Sequence, residues 1–267
     1  MPLEKDYHYN KAELKKALLE AGIKSGDTVF SHVGMGFIGY PQEGKDLNIM
    51  FDVILSAFLE VLGPKGNFIV PTYTYSFCKG ENFDPANSAS TVGFFTEEFR
   101  KGRGVKRSLD PIFSVAGVGP KIRELFENLP DDCFGPNCVY DRLKRADAQI
   151  CNIGVGFQFA TFIHYAEESA GVPYRFKKTF RGWLINGSEK IAKESVYYVR
   201  NVEEDVSTFP DLSRLERDAD NSGKLKKAKV GLGFVTSISC KNLFDLCITG
   251  IKSHPWYLAR GYDKNNL

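Results

Sequence analysis

No run of about eighteen apolar residues occurs in the chain, so nothing in it can cross a bilayer as a helix. Paired Cys-x-x-Cys spacing is absent as well, which removes the usual zinc-ribbon reading of six cysteines: Cys78, Cys133, Cys138, Cys151, Cys240 and Cys247. With no export signal a disulfide framework is not needed, and free, mostly buried thiols are expected. There is no Gly-x-Ser-x-Gly elbow, so a serine hydrolase lacks its principal sign. Charge of one sign is also missing. The formal net charge is +2 and the basic residues are interspersed, which argues against nucleic acid or a membrane surface as partner. The one local basic run, Lys224 to Lys229, reads as a solvated strand or turn. Met1 to Asp6 is charged where a signal peptide would be apolar, and the expected location is cytoplasmic.

What is present is ordinary globular material: 267 residues, 43% hydrophobic and 25% charged, enough for a sizeable core. No internal repeat interrupts it. One continuous domain over residues 1–267 is expected, with a core at about 9–180 and a C-terminal elaboration at about 181–267.

Apolar spacing predicts helices over Asn10 to Ala21 and Leu47 to Leu62, the first opened by an N-cap residue and the second stopped by Gly63-Pro64. Short apolar runs predict strands at Thr28 to Phe30, Asn67 to Val70, Ile112 to Val118 and Gln149 to Ile153. Further helices are expected at Val92 to Lys101, Pro120 to Glu127, Val139 to Arg145, Phe159 to Ala170, Leu212 to Asp218 and Lys241 to Lys252. Trp183 to Ile185 and Val196 to Val199 flank Asn186-Gly187, the signature of a β-hairpin. Strands alternating with helices give an α/β fold: a central mixed sheet flanked by helices on both faces, with a C-terminal β-hairpin elaboration.

Chemistry concentrates in Gly154-Val155-Gly156 and, eight residues later, His164-Tyr165-Ala166-Glu167. The glycines stand where a dinucleotide fingerprint would, but Phe159 occupies the place of its third glycine. A tight strand-to-helix turn is the plainer explanation, and its N–H groups can face an anion. Residues three apart share a helix face, so His164 and Glu167 present imidazole and carboxylate together. A carboxylate raises the basicity of an imidazole and fixes its tautomer, which favours a general base over a core histidine or a metal ligand. Ser31-His32-Val33-Gly34-Met35-Gly36 is a glycine-rich loop that lets backbone approach a ligand, or a plain flexible turn. Arg107-Ser108 offers a cation and a hydroxyl to a phosphate. Cys151, inside an apolar run, reads as packed.

Taken in order, these segments resemble the aminoglycoside 3-N-acetyltransferase family, also called the antibiotic N-acetyltransferase family, from about Tyr9 to Lys177. The resemblance rests on Leu14 to Gly26 followed by Ser31-His32, and on Leu62-Gly63-Pro64-Lys65-Gly66 leading to Pro71-Thr72-Tyr73-Thr74. Phe83-Asp84-Pro85, Gly93, Phe99-Arg100, Arg107-Ser108 with Pro111, and Ser114 with Gly119-Pro120 follow. His164-Tyr165-Ala166-Glu167 closes it, with Val172-Pro173-Tyr174-Arg175 just after.

The resemblance implies transfer of an acetyl group from acetyl-CoA to a primary amine, without a metal. His164 would be the base and Glu167 its orienting partner. Ser31, His32, Val33, Gly34, Met35, Gly36, Thr72, Arg107 and Ser108 would line the coenzyme site. Tyr75, Asp84 and Asp110 would line the acceptor side, with Asp110 standing where the family usually has His; Phe83-Asp84-Pro85 can equally be a simple turn. Few carboxylates accompany these motifs and the chain is slightly basic, which tilts the expected acceptor toward a nucleotide-linked amino sugar of surface-polysaccharide synthesis. An aminoglycoside conferring antibiotic resistance is the alternative, and a non-catalytic CoA-binding protein the second. Nothing in the sequence fixes the number of associating chains.

Overall fold

In the computed structural model, residues 6–202 and 206–262 are described; most of the charged start, Met1 to Lys5, lies outside them. Helix α1 (Lys11–Glu20) begins with a reciprocal cap: Asn10 Oδ1 accepts from the Glu13 amide at 2.9 Å, and the Asn10 amide donates to the Glu13 carboxylate at 3.0 Å. Helix α2 (Leu47–Leu62) starts at Asp46, whose side chain accepts from the Asn48 amide.

Seven strands form the main sheet: β1 (Thr28–Val33), β2 (Asn67–Pro71), β3 (Lys106–Arg107), β4 (Val115–Val118), β5 (Gln149–Ile153), β8 (Lys226–Val230) and β9 (Gly233–Ser239). Their order is β3-β4-β2-β1-β5-β9-β8. The central trio is parallel, β1 pairing with β2 on one side and β5 on the other, while the outer strands join antiparallel. Side chains alternate between two apolar cores. Phe30, Ile69 and Ile150 point to one core, and Val29, Phe68 and Cys151 to the other. Helices α1, α2 and α3 (Phe94–Arg100) cover the second core; α5 (Val139–Arg145), α6 (Ile163–Ala170), α7 (Ser213–Asn221) and α8 (Cys240–Ser253) cover the first. The remaining helix, α4, is one short turn (Ile122–Phe126). The sheet is thus mixed and flanked on both faces.

The hairpin is longer than its turn signal suggests: β6 (Arg175–Asn186) and β7 (Glu189–Arg200) pair along twelve residues each as a separate two-stranded sheet. In β6 only Arg175 and Leu184 are buried, Phe180, Gly182 and Ile185 are half-buried, and the other positions are exposed. Three further expectations shift. Strand β1 runs on to Val33 because its ladder with β5 continues to Val33↔Ile153, so Ser31 and His32 are strand residues, not loop residues. The expected strand from Ile112 begins only at Val115, since Asp110 Oδ1 accepts from the Ile112 and Phe113 amides and folds that stretch into a turn. Helix α6 begins at Ile163, four residues late, because Phe157–Phe159 forms a 3-10 turn. The Lys-rich run is strand β8, at the sheet edge, where charge is tolerated. Among the described residues no helix is long and apolar enough to cross a membrane. Five of the six cysteines are buried, Cys78 is exposed, and all are free.

Candidate active site

Strand order reverses around β1, whose parallel neighbours β2 and β5 lie on opposite sides, and in such sheets a crevice opens beyond the carboxyl ends of the strands. A cavity of about 420 Å³ lies there. Val33, at the end of β1, and Gly34 line it, with Pro71, at the end of β2, Tyr73 and Tyr75, with Val155 after β5, and with His164 at its wall. No Lys, Arg, Asp or Glu is among the described residues that line it.

His164 sits in the first turn of α6 with its side chain 16% exposed. Its Nδ1 is 2.6 Å from Glu167 Oε2, so the carboxylate holds the proton on Nδ1 and leaves Nε2 as the basic nitrogen. Phe134 meets the imidazole edge to face, with ring centroids 5.4 Å apart. Glu167 is fully buried. Its Oε1 accepts from the Tyr174 hydroxyl at 2.9 Å, and Arg175 Nε lies 2.8 Å from Oε2 as an ionic contact whose N–H is not aimed at the oxygen. Arg175 is anchored in turn by Nη1 donating to the Tyr198 carbonyl of the hairpin at 3.1 Å.

Burial pushes the His164 pKa down, and Arg175 pushes it further; the Glu167 charge opposes both and loses. The carboxylate does raise the basicity of the ring, as expected, but burial and Arg175 outweigh it. Burial would push Glu167 up, but Arg175, His164 and Tyr174 together hold its pKa below the usual carboxylate value. The pair therefore rests as neutral imidazole and carboxylate, the state a proton acceptor needs.

The sequence profile of the aminoglycoside 3-N-acetyltransferase family matches residues 31–251, most of the chain, and brackets this cleft. The chain belongs to that family. Aminoglycoside N(3)-acetyltransferase IV of Salmonella sp is 32% identical over 171 residues, 63% of this chain and 62% of the relative. Aminoglycoside N(3)-acetyltransferase IX of Micromonospora chalcea is 24% identical over 271 residues, 91% of this chain and 93% of the relative. A solved structure of the acetyltransferase AAC-IIIb, binary with CoASH, superposes with a TM-score of 0.77 at 17% identity, covering 91% of this chain and 96% of that one, and so shares the fold. The family is one of acyltransferases that use acetyl-CoA as donor.

Of the residues that family resemblance assigns to the coenzyme, His32, Val33 and Gly34 line the His164 cleft. Met35 is buried in the core against α1 and α2, and Gly36 is not among the lining residues. Ser31 is fully buried, its Oγ without a protein partner. His32 Nδ1 is 3.2 Å from Asn152 Oδ1, and burial pushes its pKa down to about 4, so this second imidazole is neutral near pH 7.

Thr72, Arg107 and Ser108 are placed differently. Arg107 donates from Nη1 to the Pro85 and Ser88 carbonyls, from Nη2 to the Thr72 carbonyl, and from Nε toward Thr72 Oγ1 and Ser114 Oγ. Thr72 Oγ1 donates to the Ser114 carbonyl, and Ser108 Oγ accepts from the Val115 amide. These three side chains tie β2, β4 and the Phe83-Asp84-Pro85 turn together, and none of them lines the His164 cleft. Their polar atoms are engaged in bracing the fold.

Tyr75 lines the cleft; Asp84 and Asp110 do not. Asp84 Oδ1 accepts from the Ala86 and Asn87 amides, so Phe83-Asp84-Pro85 opens a turn. Asp110 closes the turn before β4 and lines a separate cavity with Lys106, Arg107 and Lys193; burial pushes its pKa up. Sequence reasoning passed over Tyr174 and Arg175, which it quotes without a role, and Phe37, Asn152, Gln158 and Thr161. The one available signal was a Tyr-Arg pair directly after the Glu167 helix.

Gly154 is where the turn matters. It has φ +69°, and a Cβ there would stand 2.6 Å from the Gly34 carbonyl oxygen and 3.0 Å from Phe37 Cβ. Gly154→Ala is expected to destabilise by about 1–3 kcal/mol through the left-handed backbone and to push the Gly34-Phe37 segment out of place. Thermal melts and the KM for acetyl-CoA check this; an unchanged melting temperature contradicts it.

Proposed function

We propose that this protein transfers the acetyl group of acetyl-CoA to an amine of an aminoglycoside. The observation that carries the reading is a neutral His164, its Nδ1 fixed by Glu167, at the wall of a cleft beyond the parallel strand ends. An amine attacks a thioester only with its lone pair free. Nε2 of His164 takes the proton as nitrogen bonds to the carbonyl carbon; the C–S bond then breaks and the imidazolium returns the proton to the departing thiolate. No enzyme nucleophile is required, since holding both reactants in line lowers the barrier.

The acceptor class follows the names of the relatives, which are aminoglycoside acetyltransferases. It replaces the nucleotide-linked amino sugar favoured by overall charge. Whole-chain charge says little about a cleft.

The test is release of free thiol from acetyl-CoA with a panel of aminoglycosides and, separately, of nucleotide-linked amino sugars. Release that depends on an aminoglycoside is expected. Release on the nucleotide-sugar panel alone restores the other acceptor, and no release with either leaves a CoA-binding protein without this activity.

A further inference from the structure

Four described residues other than glycine have positive φ: Tyr75, Asn128, Asn137 and Asp147. Three are Asn or Asp, whose short side chains tolerate the left-handed region by bonding locally. Tyr75, at φ +55°, has no such excuse, and glycine would sit there without strain. Strain of this kind persists where surrounding structure enforces it, and it collects at ligand-binding positions.

The surroundings do enforce it. The Tyr75 amide donates to the Ile112 carbonyl, and the Tyr75 carbonyl accepts from the Lys79 amide. Its ring meets Tyr73 and Phe113 edge to face, with centroids 6.3 and 5.4 Å away. From Phe113 the aromatic wall continues to Phe134 at 4.8 Å and on to His164 at 5.4 Å. Tyr73 in this wall is buried, whereas Tyr75 remains partly exposed and lines the cleft that His164 also lines. With no carboxylate among the described lining residues, an ammonium-bearing sugar entering here meets aromatic faces, which attract both cations and C–H surfaces.

We infer that Tyr75 is a specificity-determining residue for the acceptor, its strained backbone holding the ring as the platform on which the amino-sugar ring stacks beside His164. The inference rests on the acyl-transfer reading above. Tyr75 follows β2 and lines the same cleft as His164.

Steady-state kinetics of the full chain with Tyr75→Asn and Tyr75→Phe, varying acetyl-CoA and aminoglycoside separately, tests it. Asn accepts the left-handed backbone but removes the ring. Its KM for the acceptor should rise about tenfold, in keeping with loss of a stacking and cation–π contact, with the KM for acetyl-CoA nearly unchanged. Tyr75→Phe keeps the ring and should restore the acceptor KM. An unchanged acceptor KM in Tyr75→Asn, an equal rise in the acetyl-CoA KM, or a Phe variant as impaired as Asn overturns the assignment. A wild-type protein that acetylates no amine defeats the underlying reading instead.

Discussion

His164→Ala should reduce kcat for acetyl transfer by about 10²–10⁴-fold while leaving the fold intact, because it removes the imidazole that Glu167 orients at the cleft wall and only a partly exposed side chain. The same variant identifies the His164 ring signal in an NMR pH titration, as the resonance it lacks. That signal should titrate below the ordinary value of 6.5, since burial and Arg175 both penalise the imidazolium. The sign has a catalytic consequence: the base is neutral at pH 7, and activity is lost as the pH falls through the depressed pKa. A midpoint above 6.5 contradicts the lowered basicity, and an alanine variant of full kcat removes His164 from the mechanism.

Glu167→Ala should be the most destabilising single change near the cleft, costing about 3–5 kcal/mol, because it strands a charged partner inside the protein. Glu167 is 0% and Arg175 3% exposed at the side chain, so water cannot replace the lost contact. For a chain of this size each kcal/mol corresponds to roughly 2–4 °C, and the melting temperature should drop by about 6 °C or more. Losing the carboxylate also frees the His164 tautomer, so kcat falls together with stability. Glu167→Gln, which retains the shape and a bond to Tyr174, separates the two effects: its kcat should fall with a smaller melting shift. A Glu167→Ala protein that melts like the wild type would mean that Arg175 is not held by this carboxylate.

The depth of that ion pair was not readable from residue order. His164 and Glu167 were legible as a pair because helical spacing alone puts positions three apart on one face. Tyr174 and Arg175 reach the same carboxylate only because α6 ends at Gly171 and β6 begins at Arg175, turning the chain back on itself, and the Tyr198 carbonyl that anchors Arg175 comes from β7. The bonds that engage Arg107 and Ser108 were hidden for a related reason. A cation beside a hydroxyl looks the same whether it awaits a phosphate or holds three backbone carbonyls, and only the approach of the Pro85, Ser88 and Thr72 carbonyls decides between them.

The sequence by itself determined the alternating elements, the hairpin and the His/Glu pair, since each follows from local periodicity, capping and turn chemistry acting within a few residues. Tertiary structure alone decided which wall of the cleft each residue faces, that His164 is less basic than its carboxylate neighbour suggests, and that Tyr75 sits strained at the cleft. Those properties depend on burial and on charges brought together from distant segments, and neither quantity is defined until the chain has closed around the site.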